Sequence, residues 1–171
     1  MEVPKMTAEI FELTYLDFKI LNENWNSYRL EDKTILKARV FLVSYARVEH
    51  PAPNQPTFIF ALHTAYGVES PPEIRSQPDS QTYTTTELMK ELEPGKEDLK
   101  FEPVREVWNE YVIEDSTRIS LKVTPTRIMR TTKFDLAGNP QYVVQSVVLP
   151  KAVAKDPKKL ATMASFGTTG N

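Results

Sequence analysis

Five basic residues occupy one short stretch of the chain that contains no acidic residue. The stretch between Thr117 and Lys133 carries a charge of +5, contributed by Arg118, Lys122, Arg127, Arg130 and Lys133. Side chains of this kind bind phosphates or acidic partners, and on a strand Arg118 and Lys122 would share one face about 13 Å apart. The stretch lacks base-stacking aromatics and a glycine-rich phosphate loop, so a solvated or salt-bridged strand face is the competing interpretation.

Two tryptophans, Trp25 and Trp108, are the second candidate, as a pair that stacks on a ligand. A tryptophan at such a position also serves to plug the end of a barrel or to fill the contact between two structural units. The sequence leaves both interpretations open.

Residues suited to catalysis are sparse. The chain has no cysteine and only two histidines, His50 and His63, and their spacing indicates no metal site. We interpret His63 as a packed or edge imidazole. The acidic pairs Glu31-Asp32 and Glu114-Asp115 are interpreted as turn residues rather than as an acid/base or calcium site. We therefore predict no catalytic residue, no metal and no cofactor.

The acidic pairs belong to a segment that occurs twice. The sequence from Trp25 to Arg47 aligns without gaps on the sequence from Trp108 to Arg130, with eight identities in 23 positions, where average residue usage gives about one or two. One inserted residue downstream aligns the segment 56–60 with 140–144. The chain therefore reads as two copies of one unit, residues 15–68 and 98–151.

Alternation of apolar residues predicts strands in both copies. Residues of one parity are apolar in each copy, and those of the other parity are mixed and largely polar. The predicted core positions are Tyr28, Leu30, Leu36, Ala38, Val40 and Leu42, with Tyr111, Ile113, Ile119, Leu121, Val123 and Pro125. Each copy is expected to contain four strands, and the acidic pairs form hairpin turns.

These elements predict an all-β fold, mainly antiparallel, with one or two short helices. We expect the duplicated four-stranded unit to form a pseudo-two-fold β-barrel or a pair of packed small barrels, because closure removes exposed edges. One helix is predicted at about 85–93 from the capping box Thr84 to Glu87, and a second begins at Asp156-Pro157 and carries Leu160 and Met163. Residues Gly167 to Asn171 carry no feature that would order them.

The organisation is one composite domain. It consists of an N-terminal segment (1–14), the first repeat (15–68), a proline-rich loop with a short helix (69–97), the second repeat (98–151) and a lysine-containing tail (152–171). The 171 residues are 40% hydrophobic and 26% charged, with a net charge of −2, which is typical of a soluble globular chain. Without an apolar stretch long enough for a membrane or a signal sequence, we expect a cytoplasmic protein.

Three functions remain open. The first is a non-enzymatic β-barrel interaction or assembly module that self-associates or docks on a protein partner. The alternative is weak binding of nucleic acid or another polyanion through the basic strand of the second repeat. The third is a small-molecule-binding or enzymatic barrel with a cavity near His63.

Overall fold

The computed structural model describes residues 10–154 and, for the backbone only, residues 163–168. Strands dominate the described residues, as the sequence predicts. They are β1 (Leu13–Leu16), β2 (Phe18–Asn22), β3 (Asn26–Leu30), β4 (Ile35–Val48), β5 (Phe58–Glu69), β6 (Phe101–Arg105), β7 (Asn109–Ile113), β8 (Arg118–Phe134), β9 (Pro140–Val153) and β10 (Met163–Thr168).

The described strands form two sheets. The larger sheet has the order β10-β5-β4-β3-β6, with β1 also paired to β4, and the smaller has the order β2-β7-β8-β9. All pairs are antiparallel except β10 with β5. Neither sheet closes into a barrel, so the expected closure is not found. Where β5 and β9 come together, the hydroxyl groups of Tyr66 and Ser146 form a hydrogen bond, and no backbone ladder joins the two strands.

One hydrophobic core lies between the two sheets. It contains buried residues of β3, β4 and β5 together with buried residues of β7 and β8. The predicted core positions in both repeats are all buried, so the parity prediction is confirmed. Tyr28 and Tyr111 are among the largest fully buried side chains.

The hairpin turns form as the acidic pairs predict. The carboxylates of Asp32 and Asp115 each accept a 3.0 Å hydrogen bond from the backbone amide two residues later. The residues between, Lys33 and Ser116, adopt left-handed φ angles of 68° and 70°. The side-chain hydrogen bond compensates for that conformation and holds the turn.

Strands β2 and β6, which occupy equivalent positions in the two aligned segments, each pair with a strand of the other segment. Strand β2 lies beside β7, with Phe18 opposite Ile113. Strand β6 lies beside β3, with Phe101 opposite Leu30. These two pairs of partners are related by the same offset of 83 residues, and the sequence pattern gave no indication that the strands cross over.

The helices differ from expectation. Helix α1 spans only Thr85–Leu88, although the predicted capping box between Thr84 and Glu87 is present. A short 3-10 helix, Pro72–Ile74, lies in the proline-rich loop. The start of the second predicted helix at Asp156-Pro157 lies outside the described residues. Its last predicted position, Met163, instead begins β10, which also includes Gly167.

Candidate functional site

A groove of about 620 Å³ runs along β9. The second half of β5 forms one wall, the segment around α1 forms another, and residues 140–146 of β9 form the third. Its volume lies within the range of about 300–1,000 Å³ that is typical of ligand sites. The wall from β5 includes Thr64, whose buried hydroxyl has no hydrogen-bond partner among the described residues.

Alternation along β9 determines which of its backbone groups face the groove. The carbonyl groups of Gln141 and Gln145 accept hydrogen bonds from threonine hydroxyls of β8. Because backbone groups of successive strand residues point to opposite sides, those of Tyr142, Val144 and Ser146 point away from β8. In the described part of the chain β9 is the last strand of its sheet, so no backbone ladder covers this outer edge.

Two features close the groove at its sides. Leu88 of α1 packs against Met129 and Val143 on the outer face of the smaller sheet. The hairpin loop bounds the groove through Asp135 and Pro140. In this loop Gly138 has a φ of +79°, and an added Cβ would lie 2.4 Å from the Ser76 carbonyl oxygen. Only glycine fits this close approach between the two loops.

A buried ion-pair network anchors Tyr142. Its hydroxyl donates a 2.7 Å hydrogen bond to Asp32, and the Asp32 carboxylate also pairs with Arg130 at 3.1 Å. The Arg130 guanidinium makes two further contacts with Glu93, at 2.7 and 2.9 Å. These hydrogen bonds lower the pKa of Glu93, and burial together with the Asp32 contact gives Tyr142 a raised pKa.

The basic residues of β8 do not form one surface. The Arg130 side chain is only 11% exposed and belongs to the ion-pair network with Asp32 and Glu93. Lys122 pairs with Glu106 at 3.6 Å and lies over the Trp108 ring. Arg118 and Arg127 are exposed, and Lys133 lies 5.4 Å from the centre of the Tyr83 ring. A β-bulge between Pro125 and Arg127 separates the first two basic residues from the others.

A cation of the same chain lies over each tryptophan ring. The Arg39 guanidinium lies 5.8 Å from the centre of the Trp25 ring. Lys122 and Lys151 lie 5.4 and 4.1 Å from the centre of the Trp108 ring. These contacts are cation–π interactions and occupy ring faces that a stacking ligand would use.

His63 lies outside the groove. It is half-buried on the outer face of β5, and its ring lies 6.2 Å from that of Phe41. Its neighbour Thr64 lines the groove because alternate strand residues point to opposite faces. Within residues 10–154, no group of three or more histidine or acidic side chains has an arrangement that could hold a metal ion.

Sequence reasoning missed the groove. Its walls come from β5, β9 and the linker between the repeats, segments that are distant in the chain. The one usable signal was Pro150, which lies inside β9. Proline cannot donate to a ladder and is confined to strand ends, bulges and edge strands, so this residue indicates an edge.

No protein-family model, curated protein or solved structure matches the chain. No helix in the described part of the chain is long and apolar enough to cross a membrane.

Proposed function

We propose that this protein is a non-enzymatic interaction module that binds an extended segment of a partner polypeptide in the groove along β9. The observation that carries the proposal is the outward-facing backbone of Tyr142, Val144 and Ser146 within a groove of suitable size. An unpaired strand edge presents amide and carbonyl groups to which another strand can add.

The shape of the groove supports a peptide rather than a compact metabolite. Residues Tyr142 to Ser146 extend over about 13 Å at the usual rise per strand residue. Apolar side chains line the groove together with hydroxyl and amide groups. A β-strand guest would form main-chain hydrogen bonds with the edge and place alternate side chains against the walls.

A display library of random peptides tests this function. Peptides selected on the native chain should lose binding to the variant Val144→Pro, which removes an outward amide inside the groove. The matched control is Val148→Pro, which has the same strand parity and lies outside the groove. Both valines are partly buried against the core, so their packing losses are comparable. Absence of peptides that discriminate the two variants would refute the proposal.

The second proposed function is weak polyanion binding through β8. Arg118 and Arg127 are exposed and supply its remaining support, since Lys122 and Arg130 are paired with acidic side chains. The exposed pair lies on either side of a bulge, which makes this surface less continuous than the sequence alone implied. The third function, a small-molecule-binding or enzymatic barrel with a cavity near His63, gains no support from the position of the groove.

We also propose that the two repeats are products of duplication and exchange their first strands about a pseudo-two-fold axis. Several contacts recur after a shift of 83 residues. Asn26 donates to the Val123 carbonyl and Asn109 to the Val40 carbonyl, at 3.2 and 2.9 Å. The bulges in β4 and β8, which follow Leu42 and Pro125, obey the same shift.

Cutting the chain within residues 69–97, the segment that joins the two repeats, tests the exchange. Gln81 and Thr82 are both exposed, so a cut between them disturbs little packing. Because each half lacks the partner of its own first strand, we expect neither half to fold alone and the mixture to recover the native circular dichroism spectrum. A cooperative melting transition of either isolated half would contradict the exchange.

A further inference from the structure

We infer that the guest of the β9 groove is the C-terminal segment Met163–Thr168 of a second copy of this chain. The inference rests on the proposed function, because it names the partner of the same groove. It is carried by the position of β10, which pairs in parallel with the first half of β5.

The edge of β5 that β10 occupies corresponds to the edge of β9 that lines the groove. Strand β10 pairs with β5 from Phe58 to Leu62. The repeat alignment, with its inserted residue, shifts these positions by 84 to Tyr142 and Ser146. Every residue from Tyr142 to Ser146 lines the groove. The first repeat therefore already carries a strand at the position that is open in the second repeat.

The two edges also direct their backbone groups in the same way. The Thr57 carbonyl bonds to the Val48 amide of β4, so the groups of Phe58 and Phe60 point towards β10 by alternation. The equivalent residues in β9, Tyr142 and Val144, point into the groove. A strand with the register of β10 can thus pair with β9 without a change in the receiving edge.

This register identifies which guest amides bond to β9. Met163 would lie opposite Tyr142 and Ala164 opposite Val143, following the β10–β5 register. In a parallel ladder, a bonding guest residue lies opposite a host residue whose own backbone groups point away from the guest. The guest residue bonds to the two host residues on either side of that one. Ala164 and Phe166 would therefore bond to β9, and the amide of Ser165 would point away.

Donation of the tail to another copy produces a head-to-tail contact. The donor gives up the pairing of its own β10 with β5, and the acceptor gains an equivalent pairing on β9. The tail has a high effective concentration at its own β5, so association between copies requires high protein concentration. Such contacts close into a dimer or a ring, or continue as a chain, according to the rotation between copies.

The test uses the full-length chain and a labelled synthetic peptide with the sequence of residues 160–171. Fluorescence anisotropy measures binding, and a benzophenone side chain in place of Phe166 reports the site by crosslinking and mass spectrometry. We expect saturable binding and crosslinks to the β9 strand near Gln145. The variant Val144→Pro should lose them, and Val148→Pro should retain them.

Methylation of single peptide amides tests the register. Methylation at Ala164 should weaken binding by about tenfold, since it removes a main-chain hydrogen bond and blocks close approach. Methylation at Ser165 should change affinity by less than about twofold, because that amide points away from β9. Equal effects of the two methylations would overturn the inferred register.

The outcomes separate this inference from the function on which it rests. Failure of the tail peptide to bind, or crosslinks confined to β5 near Ala61, would overturn the inference. If library peptides still discriminate Val144→Pro from Val148→Pro, the groove binds peptides of another source and the proposed function stands. If neither kind of peptide binds, both proposals are wrong.

Discussion

The hydroxyl of Tyr111 donates a 2.9 Å hydrogen bond to the carboxylate of Glu23. Tyr28 donates one of equal length to Glu106, and both pairs connect the two repeats. Burial is the main cause of the raised pKa of both tyrosines, and the carboxylate contact raises it further. The two bonds thus hold the ends of β2 and β6 against the buried tyrosines of β7 and β3.

Truncation of either tyrosine should destabilise the protein strongly. We expect Tyr28→Ala and Tyr111→Ala each to lower the free energy of unfolding by about 3–5 kcal/mol, because each removes a fully buried ring. Urea unfolding measures the loss. The variants Tyr28→Phe and Tyr111→Phe should lose only about 1 kcal/mol, through the hydrogen bond. A loss below about 1 kcal/mol for either alanine variant would contradict the core assignment.

Arg130 and Arg47 occupy equivalent positions in the two repeats but lie in different environments. The Arg130 side chain is 11% exposed, beside an Asp32 side chain that is 4% exposed, whereas the Arg47 side chain is 47% exposed. Arg130→Gln should therefore cost about 3–5 kcal/mol, since it leaves the buried Asp32 carboxylate without its cationic partner. Arg47→Gln should cost less than about 1 kcal/mol. Similar losses in urea unfolding would show that burial does not distinguish the two sites.

Acidification should weaken the contact between Glu93 and Arg130. Hydrogen bonds from Arg130 are the largest cause of the lowered pKa of Glu93. A depressed folded-state pKa stabilises the fold above the unfolded value of about 4.3 and loses that contribution as pH falls through the folded value. The stability difference between the native chain and Arg130→Gln should therefore shrink below about pH 4. A difference that stays constant down to pH 3 would argue against this linkage.

Salt dependence tests polyanion binding by the two exposed arginines of β8 and the half-buried Lys133. If Arg118, Arg127 and Lys133 each contact a phosphate, log affinity for a single-stranded oligonucleotide should fall with log salt at a slope of about −2. Replacing the three with glutamine should flatten the slope. A triple glutamine variant at Lys19, Lys90 and Lys100, all exposed, controls for net charge. No binding at about 50 mM salt would exclude this function.

Local pattern was sufficient for the strands of the two aligned segments and for their hairpin turns. Tyr28 and Leu36 are buried because they share a parity that the apolar residues occupy, and a period of two leaves one face for the core. Asp32 predicts its own turn, because a short carboxylate reaches the amide two residues later. Such interactions lie within a few residues of the chain, and the sequence contains all their participants.

The candidate site depends on contacts between residues that are distant in the chain, and local pattern does not encode such contacts. Arginine is a residue type that binds anions, which is all that the sequence indicates for Arg130. Only the fold brings its side chain to Asp32 and Glu93. The expectation of a closed barrel had the same weakness, because alternation determines which face of a strand is buried and leaves its edge partner undetermined.

The sequence by itself therefore determined the strands of the two aligned segments, their buried faces and the hairpin turns. The tertiary structure decided that Phe18 pairs with Ile113 of the other repeat, and that β9 keeps an open edge beside a groove. The physical reason is that burial and turn geometry act on neighbouring residues. Strand partners and grooves arise from competition among long-range pairings, which only the complete packing of the two sheets resolves.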